Sequence, residues 1–566
     1  MLLSFLFFSV NSVLAQLAIS SEKYGGQIVL ATTSDPRSFN PIVAQETSTT
    51  GVTSLIFEGL TRTNGITLEV EPNLAESWQV SEDGLSWVFH LRPGVLWSDG
   101  KPFGADDVVF TFNDLIYNEK IPTSARDAFT VEGKIFKVEK IDDLTVRFTL
   151  PLKFAPFLRA MSQEILPKHK LHSAVAQEKF NFTWGIDSDP KEIVGTGAYM
   201  LTGYLPGQRV VLERNPRYWK KSKTGEQLPF ISEIIYIIVQ SQDTLFLKFI
   251  DGELDYCPIR GMDYPLLKPK EGKGNFRIYN TGADFGSNFI VFNQNRGLHP
   301  RTREPFVEPK KLAWFTNLEF RKAVAHAIDK KRIIDILMNG LGYPQDSSLS
   351  PSSGFFYDAN VVRYDYDLVK AETILSNAGF VDRNADGILE DAHGNRLEFN
   401  LYTNSGSNER LQIAYIIRHD LERLGIKVNF VALEFNNLVA KLTSDYAWDA
   451  IIIGLTGGIE PHFGKNVWAS NGQLHMWYPG QEKPQTLWEK RIDEIFDAGV
   501  QELDAQKRKA LYDEWQMIVS KELPVIYTVL GANMFAVRNK FGNLHPSSYG
   551  GAFHNLEEIY IRKEYR

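Results

Sequence analysis

Apolar side chains fall into two rhythms along this chain. Gln27-Ile28-Val29-Leu30-Ala31 and Trp87-Val88-Phe89-His90-Leu91 are rich in strand-forming residues, and Val146-Arg147-Phe148-Thr149-Leu150 alternates with the two-residue period of a half-buried strand. The β-branched run over residues 231–239 predicts a buried strand. Beyond residue 290 a helical spacing takes over. Phe320, Val324, Ala327 and Ile328 lead into Ile334 and Leu337; Leu368, Ala371, Leu375 and Ala378 form a second stripe; Leu411, Ala414, Ile417, Leu421 and Leu424 form a third. Gly379 and Gly425 stand where C-caps are expected. Apolar runs at 397–403, 426–433 and 449–456 predict strands flanking these helices. Two more helices carry Trp488, Ile492, Ile495 and Phe496, then Leu511, Trp515, Ile518 and Val519, and strands at 525–530, 534–537 and 559–561 close the chain. The alternation is that of an α/β protein.

At 566 residues the chain exceeds what one core can organise, and length suggests about three or four domains. The aromatic content, 12%, fits a large core and equally a cleft that grips ligands by flat faces. A net charge of −8 and no basic tract with interleaved aromatics argue against nucleic-acid binding. Residues 1–15 are apolar and end in Val13-Leu14-Ala15, which reads as a signal peptide cut after Ala15; a buried N-terminal strand is the alternative. No later apolar run approaches the length of a membrane span. Cys257 is the only cysteine, so no internal disulfide and no cysteine-based metal site can form. With no cysteine behind the leader to carry a lipid, the expected form is freely diffusing, which favours a periplasm.

Between Asn73 and Phe112 the punctuation is dense. Asp83-Gly84 and Asp99-Gly100 are turn dipeptides, Pro102 fixes a turn, and Ala105-Asp106-Asp107 opens a helix with carboxylates at its positive end. These are structural roles. The whole stretch, from Asn73-Leu74-Ala75-Glu76-Ser77-Trp78 to Asp106-Asp107-Val108, nonetheless resembles the signature of the peptide-type (family 5) extracellular solute-binding proteins of ABC importers. Phe57-Glu58-Gly59-Leu60, Gly195-Thr196-Gly197-Ala198-Tyr199, Glu213-Arg214-Asn215-Pro216-Arg217-Tyr218-Trp219 and Asp251-Gly252-Glu253-Leu254-Asp255 resemble further elements of that family. The resemblance covers nearly the whole chain after residue 25. It implies a periplasmic-binding-protein-like α/β fold: two lobes, an extra domain inserted in the first lobe, and a ligand cleft between lobes. Lobe one would comprise 24–58, 194–289 and 526–566, the inserted domain 59–193, and lobe two 290–525. Hinges would lie near Phe289-Ile290-Val291-Phe292-Asn293 and Leu523-Pro524-Val525-Ile526.

Catalysis leaves few traces. H-E-x-x-H, G-x-S-x-G and P-loop motifs are absent, and His169 and His172, though on one helical face, read as surface residues. The best metal candidate is the D-x-N-x-D-G run with Asp382, Asn384, Asp386 and Glu390, which offers oxygens at alternating positions but has His393 where an EF-hand-like loop wants an acid. A structural Ca²⁺ site and a polar Asx-turn hairpin both fit it; no other cofactor is expected.

Ligand contacts are expected on loops that follow cleft-facing strands. Thr456, Gly457, Gly458 and Glu460 follow the apolar run 449–453, with glycines allowing close backbone approach. The resemblance implies an acidic residue at position 457 to pair a peptide's α-ammonium, and Gly457 departs from it; Glu460 is the substitute. It also implies an arginine clamp after 397–403, where this chain has Asn404 and no cation before Arg410. Trp468, Trp477 and Tyr478 follow on a Gly/Asn/Ser-rich segment and either stack on ligand or pack in the core. The expected function is capture of peptides by hinge closure and delivery to a permease and ATPase complex, by a non-enzymatic monomer. An oligosaccharide or another small organic solute is the alternative ligand, and a secreted hydrolase is the rival class.

Overall fold

A computed structural model describes residues 22–566 except 45, 46, 124, 132 and 473; the expected leader, residues 1–15, lies outside them. Among the described residues no helix is long and apolar enough to cross a membrane. The chain folds as two compact units. One holds the chain up to Ile259, Leu266–Asn280 and Met534–Arg566; the other holds Arg260–Pro265 and Thr281–Asn533.

In the first unit Gln27–Thr32 lies parallel to Glu233–Ile238, which pairs antiparallel with Arg209–Arg214 and through it with Tyr199–Leu205. The run expected to be a buried strand is only partly so: Ile234 is buried and its neighbours in the strand are half-buried. Its β-branched content therefore reflects strand preference rather than complete burial. A second sheet joins Ala75–Val80, Ser86–Leu91, Thr145–Thr149 and Lys137–Asp142, all antiparallel. Trp87, Phe89 and Leu91 alternate inward. Phe89 meets Phe148 edge-on at 5.6 Å, and Phe148 meets Phe157 at 5.5 Å, the geometry ring quadrupoles favour. Asp107 holds the motif stretch together. It accepts from Gly104 N at 3.1 Å, Trp97 Nε1 at 3.2 Å and Lys168 N at 2.9 Å. The signature stretch is scaffold in this unit.

In the second unit five strands run in the order Lys427–Leu433, Glu398–Asn404, Ala450–Leu455, Ser287–Phe292, Val525–Tyr527. The first three are parallel and the last two pair antiparallel. Successive side chains feed opposite cores. Ile290, Phe292, Ala450 and Ile452 join one cluster with Phe315, Phe320 and Phe399, whereas Phe289, Val291, Ile451 and Ile453 join another with Trp448, Trp477 and Trp515. Burial on both faces is why these strands read as unbroken apolar runs. Helices Leu368–Asn377 and Asn408–Arg423 end at Gly379 and Gly425 with φ of 90° and 81°, the left-handed caps the spacing predicts. The 320–337 stripe is two helices, Leu318–His326 and Lys330–Leu337, because Asp329 caps the second by accepting from Arg332 N at 2.9 Å.

The expected hinges differ from the observed boundaries. Phe289–Phe292 and Val525–Ile526 are paired strands inside the second unit, with Ile290 opposite Ile526. The compact unit that holds them extends to Thr281 and Asn533. The 525–530 run is broken at Thr528, whose N and Oγ1 both bond Asn288 O, at 2.9 and 2.8 Å. Val529–Arg538 continues as a separate strand. Segment 59–193 belongs to the first unit.

Glu58 yields a pH test of this packing. Its carboxylate accepts from Trp219 Nε1 at 2.9 Å and Tyr218 Oη at 3.3 Å. Burial pushes its pKa up to about 7, outweighing those donors. The native state then holds one proton more than the unfolded chain between about pH 4.5 and 7, so this residue's contribution falls as pH rises through that window, by roughly 3 kcal/mol in all. Glu58→Gln is therefore expected to be more stable than the parent at pH 8, with the advantage gone near pH 4.5. Urea midpoints at the two pH values check it.

Candidate functional site

The C-terminal ends of the parallel strands form one edge of the second unit's sheet, where ligands bind in open α/β sheets. Thr403 Oγ1 bonds Ile452 O at 2.8 Å and fixes the two strand ends side by side. The chain then turns at Asn404. Ser407 caps the helix Asn408–Arg423, accepting from Arg410 N at 3.3 Å. Arg410 folds back over the strand ends: its Nε donates to Asn288 Oδ1 and its Nη1 to Asn404 Oδ1, both at 3.0 Å. Asn288 stands opposite Gly454 in the sheet.

From Gly454 the Ala450–Leu455 strand runs into the predicted loop. Thr456 and Gly457 are exposed and Gly458 half-buried. Gly457 is required by its own chain rather than by a ligand, since a Cβ there would stand 1.7 Å from Phe285 O. Ser353 Oγ donates to Gly458 O at 2.8 Å and pins the loop. Asn404, Thr456, Gly457 and Gly458 thus lie on the strand-end edge as expected.

Glu460 does not serve there. It is buried, caps the turn Pro461–Gly464 by accepting from His462 N at 3.1 Å, and forms a two-pronged pair with Arg508, Nη1 to Oε2 at 2.9 Å and Nη2 to Oε1. Burial works against the Arg508 charge, and the Glu460 carboxylate outweighs it and raises the pKa. Trp468 and Trp477 are core residues, not ligand platforms. Their rings lie 5.8 Å apart, Trp515 meets Trp468 edge-on at 5.2 Å, and Trp477 Nε1 donates to buried Glu489 at 3.1 Å. Tyr478 packs, half-buried, against the same cluster. The reason is local: Glu489 belongs to a capping box with Thr486 and supplies the indole's acceptor from inside the protein.

Sequence reasoning did not foresee that Asn288 and Arg410 meet at this edge. Arg410 was legible only as the first cation after the strand; Asn288 sits in an apolar run and carries no signal. A cavity of about 360 Å³ lies elsewhere in this unit, lined by Thr443, Tyr446, Asn471, His475 and Gln481 among others. It belongs to the opposite edge of the sheet, where Asn293 Nδ2 bonds Tyr446 O and Trp448 O, both at 2.9 Å.

The D-x-N-x-D-G loop is closed by its own bonds. Asp382 accepts from Gly387 N at 2.9 Å, Asn384 Oδ1 from Asp386 N at 2.9 Å, and Asp386 from Ile388 N at 3.0 Å. Asn384 Nδ2 donates to Glu390 at 2.7 Å, and Arg396 pairs with Asp386 at 3.2 Å. Among the described residues no group of three or more His, Cys, Asp or Glu is arranged to hold a metal ion. His169 pairs with Asp99 at 2.8 Å, a surface contact made across 70 residues.

Parallel strand ends in one unit and a separate mixed sheet in the other define an α/β fold of the periplasmic-binding-protein type. The chain belongs to the bacterial extracellular solute-binding proteins, family 5, whose middle region matches residues 69–473. It is 29% identical over 526 residues to a probable ABC transporter-binding protein of Deinococcus radiodurans, covering 89% of this chain and 86% of that one. The oligopeptide-binding protein AppA of Bacillus subtilis is 26% identical over 78% of this chain and 75% of its own; the AppA structure with a nonapeptide superposes with a TM-score of 0.73 at 24% identity, covering 96% of this chain and 100% of that one. A periplasmic alpha-galactoside-binding protein of Rhizobium meliloti is 26% identical over 93% of this chain and 79% of its own.

Two outcomes are expected. Arg508→Ala leaves the buried Glu460 carboxylate unpaired and should cost about 3–5 kcal/mol in chemical denaturation, whereas a loss below about 1 kcal/mol would mean a solvated pair. Saturating Ca²⁺ added after chelation should leave the melting temperature unchanged; a rise of several degrees would establish a site in the 382–390 loop.

Proposed function

We propose that this protein is the extracytoplasmic binding subunit of an ABC importer and that its solute is a peptide. The relative that carries the ligand class is oligopeptide-binding AppA, aligned over 78% of this chain. Family membership supports a binding role without bond breaking. The solute favours the closed arrangement of the lobes, and a permease and ATPase complex accepts that form. The protein works as a monomer in a periplasm. With glycine at 457 and Glu460 committed to Arg508, this loop gives a free α-ammonium no acidic partner. That favours longer peptides held along their backbone over dipeptides.

An oligosaccharide is the second reading, favoured by the alpha-galactoside-binding relative. It ranks lower because the aromatic faces that would stack on sugar rings, Trp468 and Trp477, lie in the core.

Native mass spectrometry of protein purified without refolding should find a peptide mass bound. A degenerate peptide pool at a hundredfold excess over Kd should stabilise the protein by about 2.7 kcal/mol and be recovered uncut. Stabilisation by alpha-galactosides alone would select the second reading, and cleaved peptides would select a hydrolase.

A further inference from the structure

The cavity of about 360 Å³ in the second unit has a frame of its own. Two segments line it, 442–446 and 471–482. Buried asparagines just beyond the strand Ser287–Phe292 hold both in place. Asn293 Nδ2 donates to Tyr446 O and Trp448 O, and its Oδ1 accepts from Asn295 N at 3.1 Å; Asn295 Nδ2 in turn donates to Pro479 O at 2.8 Å. Gln294 N donates to Trp477 O at 2.7 Å. The walls are thus set by the fold, as in small-molecule sites of this size.

The first wall departs from regular backbone geometry. Lys441–Asp445 is a π-helical turn, a form concentrated at functional sites, and Tyr446 follows it with a φ of 54°, a left-handed conformation rare for a bulky side chain. The Tyr446 ring is fixed edge-on to Phe306 at 5.1 Å. Its hydroxyl lies against Gly480, where a Cβ would stand 3.3 Å from Oη.

Some polar groups on the walls are committed and others are open. Buried His475 directs both ring nitrogens at oxygens, Val467 O at 3.2 Å and Gln481 Oε1 at 3.1 Å, and Gln481 Nε2 donates to Lys483 O at 2.7 Å. Thr443 gives its hydroxyl proton to Val439 O at 2.9 Å, so toward the cavity it only accepts. Tyr446 Oη, the Asn471 amide and the Glu482 carboxylate bond no partner among the described residues. Leu442, Leu474, Met476 and Pro479 add an apolar surface, and neither lysine nor arginine is among the lining residues. Lys441 nearby is already engaged, donating to Ala447 O at 2.8 Å and pairing with Asp445 at 3.7 Å.

We infer that this cavity is a second ligand site and that it takes a small hydroxylated amine. It lies at the opposite edge of the sheet from the strand ends and stands apart from the peptide reading. An ammonium group only donates, which suits the Glu482 carboxylate and the Thr443 oxygen. A hydroxyl both gives and receives, as Tyr446 Oη and the Asn471 amide do. The carbon body between them is matched by the aliphatic wall. An anion would meet a carboxylate and no counter-charge.

Three probes with the same five-carbon body, each substituted at both ends, test it by calorimetry on the full chain at low ionic strength: aminopentanol, pentanediol and hydroxypentanoate. The amino alcohol should bind saturably and about fivefold more tightly than the diol, the upper range for an exposed ion pair, and the hydroxy acid should give no measurable heat. Glu482→Gln should bring the amino alcohol and the diol within about twofold of each other. Asn471→Trp should fill the cavity and abolish binding of both. Glu482 and Asn471 are exposed, so both variants should melt as the parent does, and the melting temperature checks that they fold. Amine binding that survives Asn471→Trp places the probe elsewhere and overturns the site, as does no binding by the parent. Diol binding as tight as that of the amine, or an amine preference unchanged in Glu482→Gln, overturns the ligand class. None of these results bears on the peptide reading, which is tested separately.

Discussion

The antiparallel pairing of Ser287–Phe292 with Ala450–Leu455 is the constraint on which the second unit depends. Both strands are buried on both faces, so each side chain is committed to one of two cores. A slip of one residue would send Phe289 and Val291 into the cluster built around Phe292 and Phe399, and the reverse. Packing therefore fixes the register without help from turns. The same register sets Asn288 opposite Gly454 at the point where the apolar run ends. The polar edge is thus a consequence of the core: its residues are held where they are because the strands behind them cannot move.

Much of this was legible in the pattern of apolar residues. The stripes at 368–378 and 411–424, closed by glycines, became helices with left-handed caps, since helical period and cap chemistry are both local. The runs at 397–403, 426–433 and 449–456 became the three parallel strands. The unit boundaries were not legible. Phe289–Phe292 and Val525–Ile526 read as junctions between lobes, yet their burial comes from helices distant in the chain, which no local window contains. Similarly the 231–239 run has the composition of a buried strand, but within the strand Glu233–Ile238 only Ile234 is buried, because composition reports strand preference and not how many faces are covered.

The candidate site divides along the same line. Loop chemistry placed Asn404, Thr456, Gly457 and Gly458 correctly at the strand-end edge, because a strand's end can be read from its own residues. It misread Glu460, Trp468 and Trp477. Glu460 and Trp477 have their polar atoms satisfied by partners remote from the loop's first residues: Arg508 lies 48 positions from Glu460, and Glu489 receives the Trp477 indole from the start of the next helix; Trp468 packs against the rings of Trp477 and Trp515. An acid or an indole in a glycine-rich loop offers the same letters whether it faces a ligand or the core. What separates the cases is whether a partner is already supplied, and that is a property of the fold.

The polarity of the edge follows from these two corrections together. The one acid on the 456–460 loop is turned inward and paired with Arg508, while Arg410 at the strand ends is half-buried and donates to two amide oxygens. Acids are not absent from this edge: Glu409 acts on Arg410, and Asp284 on Glu409, through space. A glycine at 457 is imposed by the carbonyl of Phe285, so an acid cannot stand at that position unless the backbone moves.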